Sequence, residues 1–136
     1  MNFISTDEIH TLADYYEQML KEMRDAAGSN GEFYTPRPVI KFIVNTINPD
    51  LSKSPKILDP ACGTGGFMIE SINHMNAQVK SNKDRTKLFE KTVFGTEKKS
   101  MPFLLGMMNL LLHGVDQPNI ANANTLGRPF RDITDE

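Results

Sequence analysis

A single cysteine, Cys62, stands among the 136 residues, so no intrachain disulfide can form, and no Cys/His spacing in the chain suits a zinc site. Positive charge is equally scarce. The formal net charge is −2, without the clustered excess of Lys and Arg that marks tight binding to nucleic acid, so any DNA contact would need grip from another segment. Long apolar runs are missing too: there is no secretory core sequence and no stretch near membrane-span length. A cytoplasmic, reducing location and no membrane are the expectation. Internal repeats and low-complexity tracts are also lacking. What remains is ordinary globular material, 39% hydrophobic, 24% charged and 8% aromatic, enough for one domain with a core.

Hydrophobic spacing divides that material into elements. Ser5 and Glu8 are placed as a capping box, and Ile9, Leu12, Tyr16, Met19 and Met23 fall on one face, which predicts a helix over 5–27 that Gly28 stops. The sequence then runs extended through GEFYTPRP until Thr35 can cap a helix that accepts Pro36 in its first turn and buries Ile40, Ile43, Val44 and Ile47. A turn-rich connector, 48–55, leads to a short strand in which Ile57 and Leu58 are expected to be buried. The next helix carries Phe67, Ile72, Met75 and Val79 inward, and the polar stretch 81–87 reads as a surface loop or a frayed helix end. A second strand at 92–95 runs into Glu97, and a third apolar helix follows through MPFLLGMMNLLLHG. A weaker third strand is expected at 119–122, before a polar, loop-like tail. Strands alternating with apolar helices predict parallel βαβ connections. The sheet is short beside the five or so strands usual for doubly wound domains.

The chemistry concentrates in KILDPACGTGGF, Lys56 to Phe67. Asp59 would end the strand, and Gly63, Gly65 and Gly66 would let the backbone approach a ligand at the amino end of the following helix. The pattern DxxxGxGG differs from the GxGxxG of dinucleotide folds, which disfavours an NAD-binding oxidoreductase domain. An acid placed four residues before the first glycine can meet the cationic amino group of an amino-acid-like cofactor, which suits S-adenosylmethionine better than a pyrophosphate. A purely structural strand-to-helix turn is the plainer alternative. Glu97, at the end of the second strand, can accept hydrogen bonds from both hydroxyls of a ribose; as a plain solvated charge it would sit beside Lys98 and Lys99. Phe33 and Tyr34 can be core residues and Thr35 only a cap. Cys62 reads as a small packing residue, His10, His74 and His113 as surface or interfacial, and the Met-rich helix as core.

Taken together, GEFYTPR, DPACGTGGF and FGTEKK, in that order, resemble motifs X, I and II of the modification (HsdM) subunit of type I restriction-modification systems. These are gamma-class amino methyltransferases acting on adenine in DNA. The apolar helix with MNLLLHGVDQPNI, followed by ANTLG, is similar to the corresponding family region, and the resemblance covers about Ser5 to Asp132. It implies an α/β fold, part of a Rossmann-like methyltransferase sheet preceded by a short helical segment. Residues 1–30 would end an amino-terminal helical region, and 31–136 would form the first half of the S-adenosylmethionine-dependent domain. By the resemblance, Glu32, Phe33, Tyr34, Thr35, Pro36 and Arg37 line the methionine end of the cofactor. Thr64, Gly65 and Gly66 hold its backbone-facing side, Asp59 and Gly63 complete the turn, Glu97 holds the ribose, and Asn124 lies near the adenine ring, where relatives often carry Asp. The implied partners are DNA, through the full complex, and the specificity and restriction subunits of a type I system.

The family's catalytic tetrapeptide, Asn-Pro-Pro followed by Phe or Tyr, is not found in these residues; Asn48-Pro49 is followed by Asp50 and lies upstream of the glycine turn. In the family those groups hold the flipped adenine's amine and stack on the base, and family order puts them shortly after residue 136. The expectation is therefore a front half of a methyltransferase domain that does not methylate DNA by itself, with helix faces at Leu104, Leu105, Met108 and Leu111 partly uncovered. A noncatalytic remnant or interaction module, pairing with a complementary half or a specificity subunit, is the alternative.

Overall fold

A computed structural model describes residues 35–127 together with Tyr16, Gln18 and Met19. The chain forms two compact units, Met1–Pro36 and Arg37–Glu136. In the first, Tyr16, Gln18 and Met19 are helical and Thr35 and Pro36 are not; most of the helix expected over 5–27 lies outside the described residues.

The second unit opens with α1, Arg37–Ile47, whose Ile40 and Val44 are buried. Ile43 is half-buried, whereas Ile47, expected in the same stripe, is 71% exposed. The helix ends there: Asn48 turns to φ 49° and donates its N–H to the Val44 carbonyl, the left-handed stop that Asn tolerates better than most residues. The connector then folds into a single 3-10 turn, Leu51–Lys53, whose amino end is capped by Asp50 accepting from the Ser52 N–H. Gln78 clamps this connector, donating to the Pro49 carbonyl at 3.0 Å and accepting from the Leu51 N–H at 2.8 Å.

Three parallel strands follow in the order β1 (Ile57–Asp59), β2 (Val93–Glu97) and β3 (Ile120–Asn122), with Asp59 beside Gly95 and Glu97 beside Asn122. Between them lie α2 (Gly66–Asn76), α3 (Asn82–Lys91) and α4 (Ser100–Leu112). This is the predicted parallel βαβ arrangement. Its core gathers Met68, Ile69, Ile72 and Met75 of α2, Leu88 of α3 and Leu110 of α4 over Ile57, Val93 and Ile120 of the sheet.

Two further expectations fail here. Residues 81–87 are not a loop: α3 begins at Asn82 behind a reciprocal cap, in which the Ser81 hydroxyl accepts from the Asp84 N–H at 3.2 Å and the Asp84 carboxylate accepts from the Lys80 N–H and the Ser81 hydroxyl. A Ser followed three residues later by an acid satisfies the orphan amides of a first turn even when the helix is mostly polar. Leu88, with no exposed surface, anchors that helix to the core. Leu58 is the second correction, 63% exposed where burial was expected. Its side chain shares a sheet face with Phe94, Thr96 and Ala121, opposite the face that carries Ile57, Val93 and Ile120. Parallel strands bury both faces only when helices cover both, and the main core of the described residues lies on one.

Candidate cofactor site

The site forms where the strands end. In open parallel sheets ligands lie outside the carboxyl ends of the strands, because the backbone turns there into helix amino ends. Asp59 is the last residue of β1 and Glu97 the last of β2, so the two acids are brought side by side from positions 38 residues apart in the chain.

Between Asp59 and α2 the chain makes its glycine turn. Cys62 N–H donates to the Thr96 carbonyl at 3.0 Å, Gly65 N–H returns to the Cys62 carbonyl at 2.8 Å, and the Asp59 carboxylate accepts from the Ala61 N–H at 3.2 Å. Gly63 and Gly65 sit at φ 54° and 79°, the left-handed region that side chains strain to adopt. Gly65 is the cap of α2 and offers no side-chain acceptor to the helix's first amides. Those donors face the end of the sheet with the positive pole of the helix behind them. Open space surrounds the point where a Gly63 side chain would begin. At Gly66 the opposite holds: a Cβ there would stand 2.8 Å from Ile40 Cδ1. The first half of α1 is thus laid against the turn, with Arg37 one turn before Ile40 on the same side and exposed.

Glu97 ties the arrangement together. One carboxylate oxygen accepts from the Gly63 N–H at 2.9 Å and the other from the Lys99 N–H at 2.7 Å. Each oxygen keeps a further lone pair for a hydroxyl donor. The carboxylate therefore fixes the glycine turn and retains the capacity to accept from two further hydroxyl donors. Behind it, Asn122 donates to the Glu97 carbonyl at 2.9 Å, and the Ala123 N–H donates to the same oxygen at 3.0 Å.

The segment after β3 closes on the same edge. Thr125 donates its hydroxyl to the Pro60 carbonyl at 2.7 Å, which brings NTLG against the loop after β1. Asn124 is exposed, and its side-chain oxygen accepts from the Leu126 N–H at 3.3 Å. Its amide nitrogen remains a donor on that edge. Of the residues singled out in the sequence, Asp59, Gly63, Thr64, Gly65, Gly66 and Glu97 meet at one place and Asn124 lies in the segment held beside it. Glu32, Phe33 and Tyr34 lie outside the described residues; Thr35 and Pro36 belong to the first unit.

Burial, reinforced by the neighbouring Glu97 carboxylate, holds Asp59 above the usual carboxylate range, with the Ala61 N–H acting against them. Burial first, then the Asp59 and Glu97 charges, push the Cys62 thiol up to about 12. Since the thiolate is the reacting form, Cys62 should alkylate at pH 8 about a thousandfold more slowly than an ordinary cysteine with a pKa near 8.5. Iodoacetamide labelling followed by mass spectrometry checks this: labelling of the native chain at the rate of the urea-unfolded chain would contradict it.

Residues 7–136 match the N-6 DNA Methylase family. The chain belongs to that family. It is 43% identical over 131 residues to the type I restriction enzyme EcoEI methylase subunit of Escherichia coli, a match that covers 96% of this chain and 26% of that protein. Among solved structures, the modification subunit of a putative type I restriction enzyme from Vibrio vulnificus YJ016 superposes with a TM-score of 0.75 at 52% identity, over 99% of this chain and 28% of that one. A chain solved in work on complex assembly and conformational transition of the type I R-M system gives a TM-score of 0.80 at 40% identity, over 98% of this chain and 27% of its own length. The N-6 DNA methylase fold is thus the Rossmann-like frame of the present sheet, and the chain spans about a quarter of the relatives it matches.

Asn109 and Lys99 were not singled out in the sequence. Asn109 is buried and donates to the Thr64 carbonyl at 2.8 Å. Its one signal was an amide in an otherwise apolar helix, MPFLLGMMNLLL. Lys99 enters through its backbone alone at this contact, which no side-chain pattern could announce.

Proposed function

We propose that this chain supplies the S-adenosylmethionine-holding part of a type I restriction-modification methyltransferase that acts on the exocyclic amine of adenine in DNA. The observation that carries the reading is the Glu97 carboxylate, bonded to Gly63 N–H and Lys99 N–H at the carboxyl end of the sheet, beside a helix whose first amides have no side-chain cap. That geometry fits the cofactor's parts. Glu97 takes the ribose hydroxyls, Asp59 the cationic amino group, and Gly63, Thr64, Gly65 and Gly66 the close backbone side. By the resemblance, Asn124 would meet the adenine ring, and Glu32, Phe33, Tyr34, Thr35, Pro36 and Arg37 are the residues proposed for the methionine end. When bound, the cofactor supplies a methyl group on a sulfonium; the residues present here bind and orient it. The groups that would hold the target amine, an Asn-Pro-Pro-aromatic tetrapeptide, are not among these 136 residues, so methyl transfer to DNA requires further polypeptide. We place the chain in the cytoplasm, working with a specificity subunit, a restriction subunit and DNA; among the described residues no helix is long and apolar enough to cross a membrane.

A noncatalytic interaction module is the second reading, favoured by Leu58 at 63%, Leu104 at 55% and Leu111 at 50% exposure. Leu105, expected to join them, is instead buried, and Met108 is half-buried. Thermal unfolding separates the two readings. A ligand at a hundredfold excess over its Kd stabilises a folded chain by about 2.7 kcal/mol, so S-adenosylmethionine and S-adenosylhomocysteine should each raise the midpoint by several degrees while NADH leaves it unchanged. Equal indifference to all three would favour the interaction module.

A further inference from the structure

The glycine turn is supported from beneath by α4, and the support is narrow. Gly106 lies so close that a Cβ there would stand 3.0 Å from the Gly63 carbonyl oxygen and 3.1 Å from Ile120 Cδ1. One helical turn later, the buried Asn109 points its amide nitrogen at the Thr64 carbonyl, 2.8 Å away. The Thr64 carbonyl and the Gly65 N–H belong to one rigid peptide plane. Asn109 holds one end of that plane, and the Cys62 carbonyl, 2.8 Å from Gly65 N, holds the other. The plane immediately precedes Gly65, the φ 79° residue from which α2 departs. A rotation of the plane would therefore change both the direction of the Gly65 N–H and the pose of the first α2 amides.

We infer that Asn109 is a positioning residue for the cofactor site: its amide locks the Thr64–Gly65 peptide in the orientation that presents the glycine turn and the amino end of α2 to the ligand. The inference rests on the cofactor reading above. The contact is a buried hydrogen bond from a helix interior to a turn 45 residues earlier, and buried polar side chains in an apolar helix carry a desolvation cost that a leucine would avoid. Holding a turn that has two left-handed glycines, and hence few restraints of its own, offsets that cost.

Two variants test it. Asn109→Leu keeps approximate volume and removes the donor; Asn109→Asp keeps shape and places an acceptor against the Thr64 carbonyl. Amide hydrogen exchange by NMR on the ligand-free chain should show the Gly65 N–H exchanging at least tenfold faster in each variant that folds, while Met75 and Leu88, deep in the core, keep wild-type rates. Titration calorimetry should show about a tenfold weaker Kd for S-adenosylmethionine in the same variants. A merely structural role would release Gly65, Met75 and Leu88 together, and that result, or unchanged Gly65 exchange, would overturn the inference. Wild-type chain that binds no S-adenosylmethionine would sink the cofactor reading instead, and the exchange rates would still decide whether Asn109 locks the turn.

Discussion

Gly95→Val should abolish cooperative folding of this chain. Gly95 lies in the middle of β2 on the core face, and a Cβ there would stand 2.4 Å from Met68 Sδ and 3.0 Å from Cys62 Sγ. Met68 is flexible by nature, but here it is 1% exposed and packed among Ile69, Ile72 and Val93 in the same cluster, so its sulfur has nowhere to retreat. Overpacking a closed core by a methyl typically costs about 1–3 kcal/mol, which sets the expectation for Gly95→Ala. A valine adds two further carbons at the same point, and small domains hold only about 5–15 kcal/mol in total. Urea unfolding followed by circular dichroism should give a shifted but cooperative transition for the alanine variant and none for the valine variant. Combining Gly95→Ala with Met68→Ala should recover part of the loss, a coupling that a double-mutant cycle reads directly. A wild-type midpoint for Gly95→Val would mean that α2 does not lie on β2 as described.

Asp59→Asn should make the fold more stable at neutral pH and the cofactor site worse. Asp59 is pushed above the usual carboxylate range by burial and by Glu97, so the folded chain binds its proton more readily than the unfolded chain does. The stability linked to that proton is present below the unfolded value and is lost as pH rises through the folded one. At pH 7 the ionised carboxylate is thus a liability to the fold, which an asparagine removes while its carbonyl still accepts from the Ala61 N–H. The same charge is what a cationic amino group would meet. Hydrogen bonds to charged groups contribute about 1.5–3 kcal/mol, so Asp59→Asn should weaken S-adenosylmethionine by about 10- to 150-fold. Wild-type affinity should also fall as pH is lowered through the raised Asp59 value, and the asparagine variant should lose that dependence. Denaturation midpoints at pH 7 together with titrations from pH 7 downward check both halves; a variant less stable than wild type with unchanged affinity would reverse the assignment.

Not every part of the site was legible in the sequence. Asp59, the glycines and Glu97 could be read because each sits at a boundary that local rules define, a strand end or a turn into a helix, and the strand–acid–helix order repeats. One residue of that reading carries more than expected: Glu97 also fastens the Gly63 N–H, a contact across 34 positions that spacing cannot reveal. Asn109 belongs to the same class, since its significance appears only when α4 is laid under the turn. The helix Asn82–Lys91 was hidden by its polarity; its one buried anchor is Leu88, and the Ser81–Asp84 pair that starts it is a local signal that outweighed the missing apolar stripe. Leu58 misled for the opposite reason. An apolar strand residue in a βαβ pattern reads as doubly covered, but the number of helices on each sheet face is a tertiary property.

On the reading proposed above, the acids and the glycine turn at the carboxyl edge of the sheet form an S-adenosylmethionine site. Isothermal titration of S-adenosylmethionine into the purified chain, repeated with Glu97→Ala, tests it most directly. Saturable one-to-one binding is expected of the wild type, with a loss of about a hundredfold or more in the variant, which removes both the ribose acceptor and the anchor of the Gly63 N–H. A folded wild-type chain that takes up no S-adenosylmethionine, or a Glu97→Ala chain that binds as tightly as wild type, would contradict it.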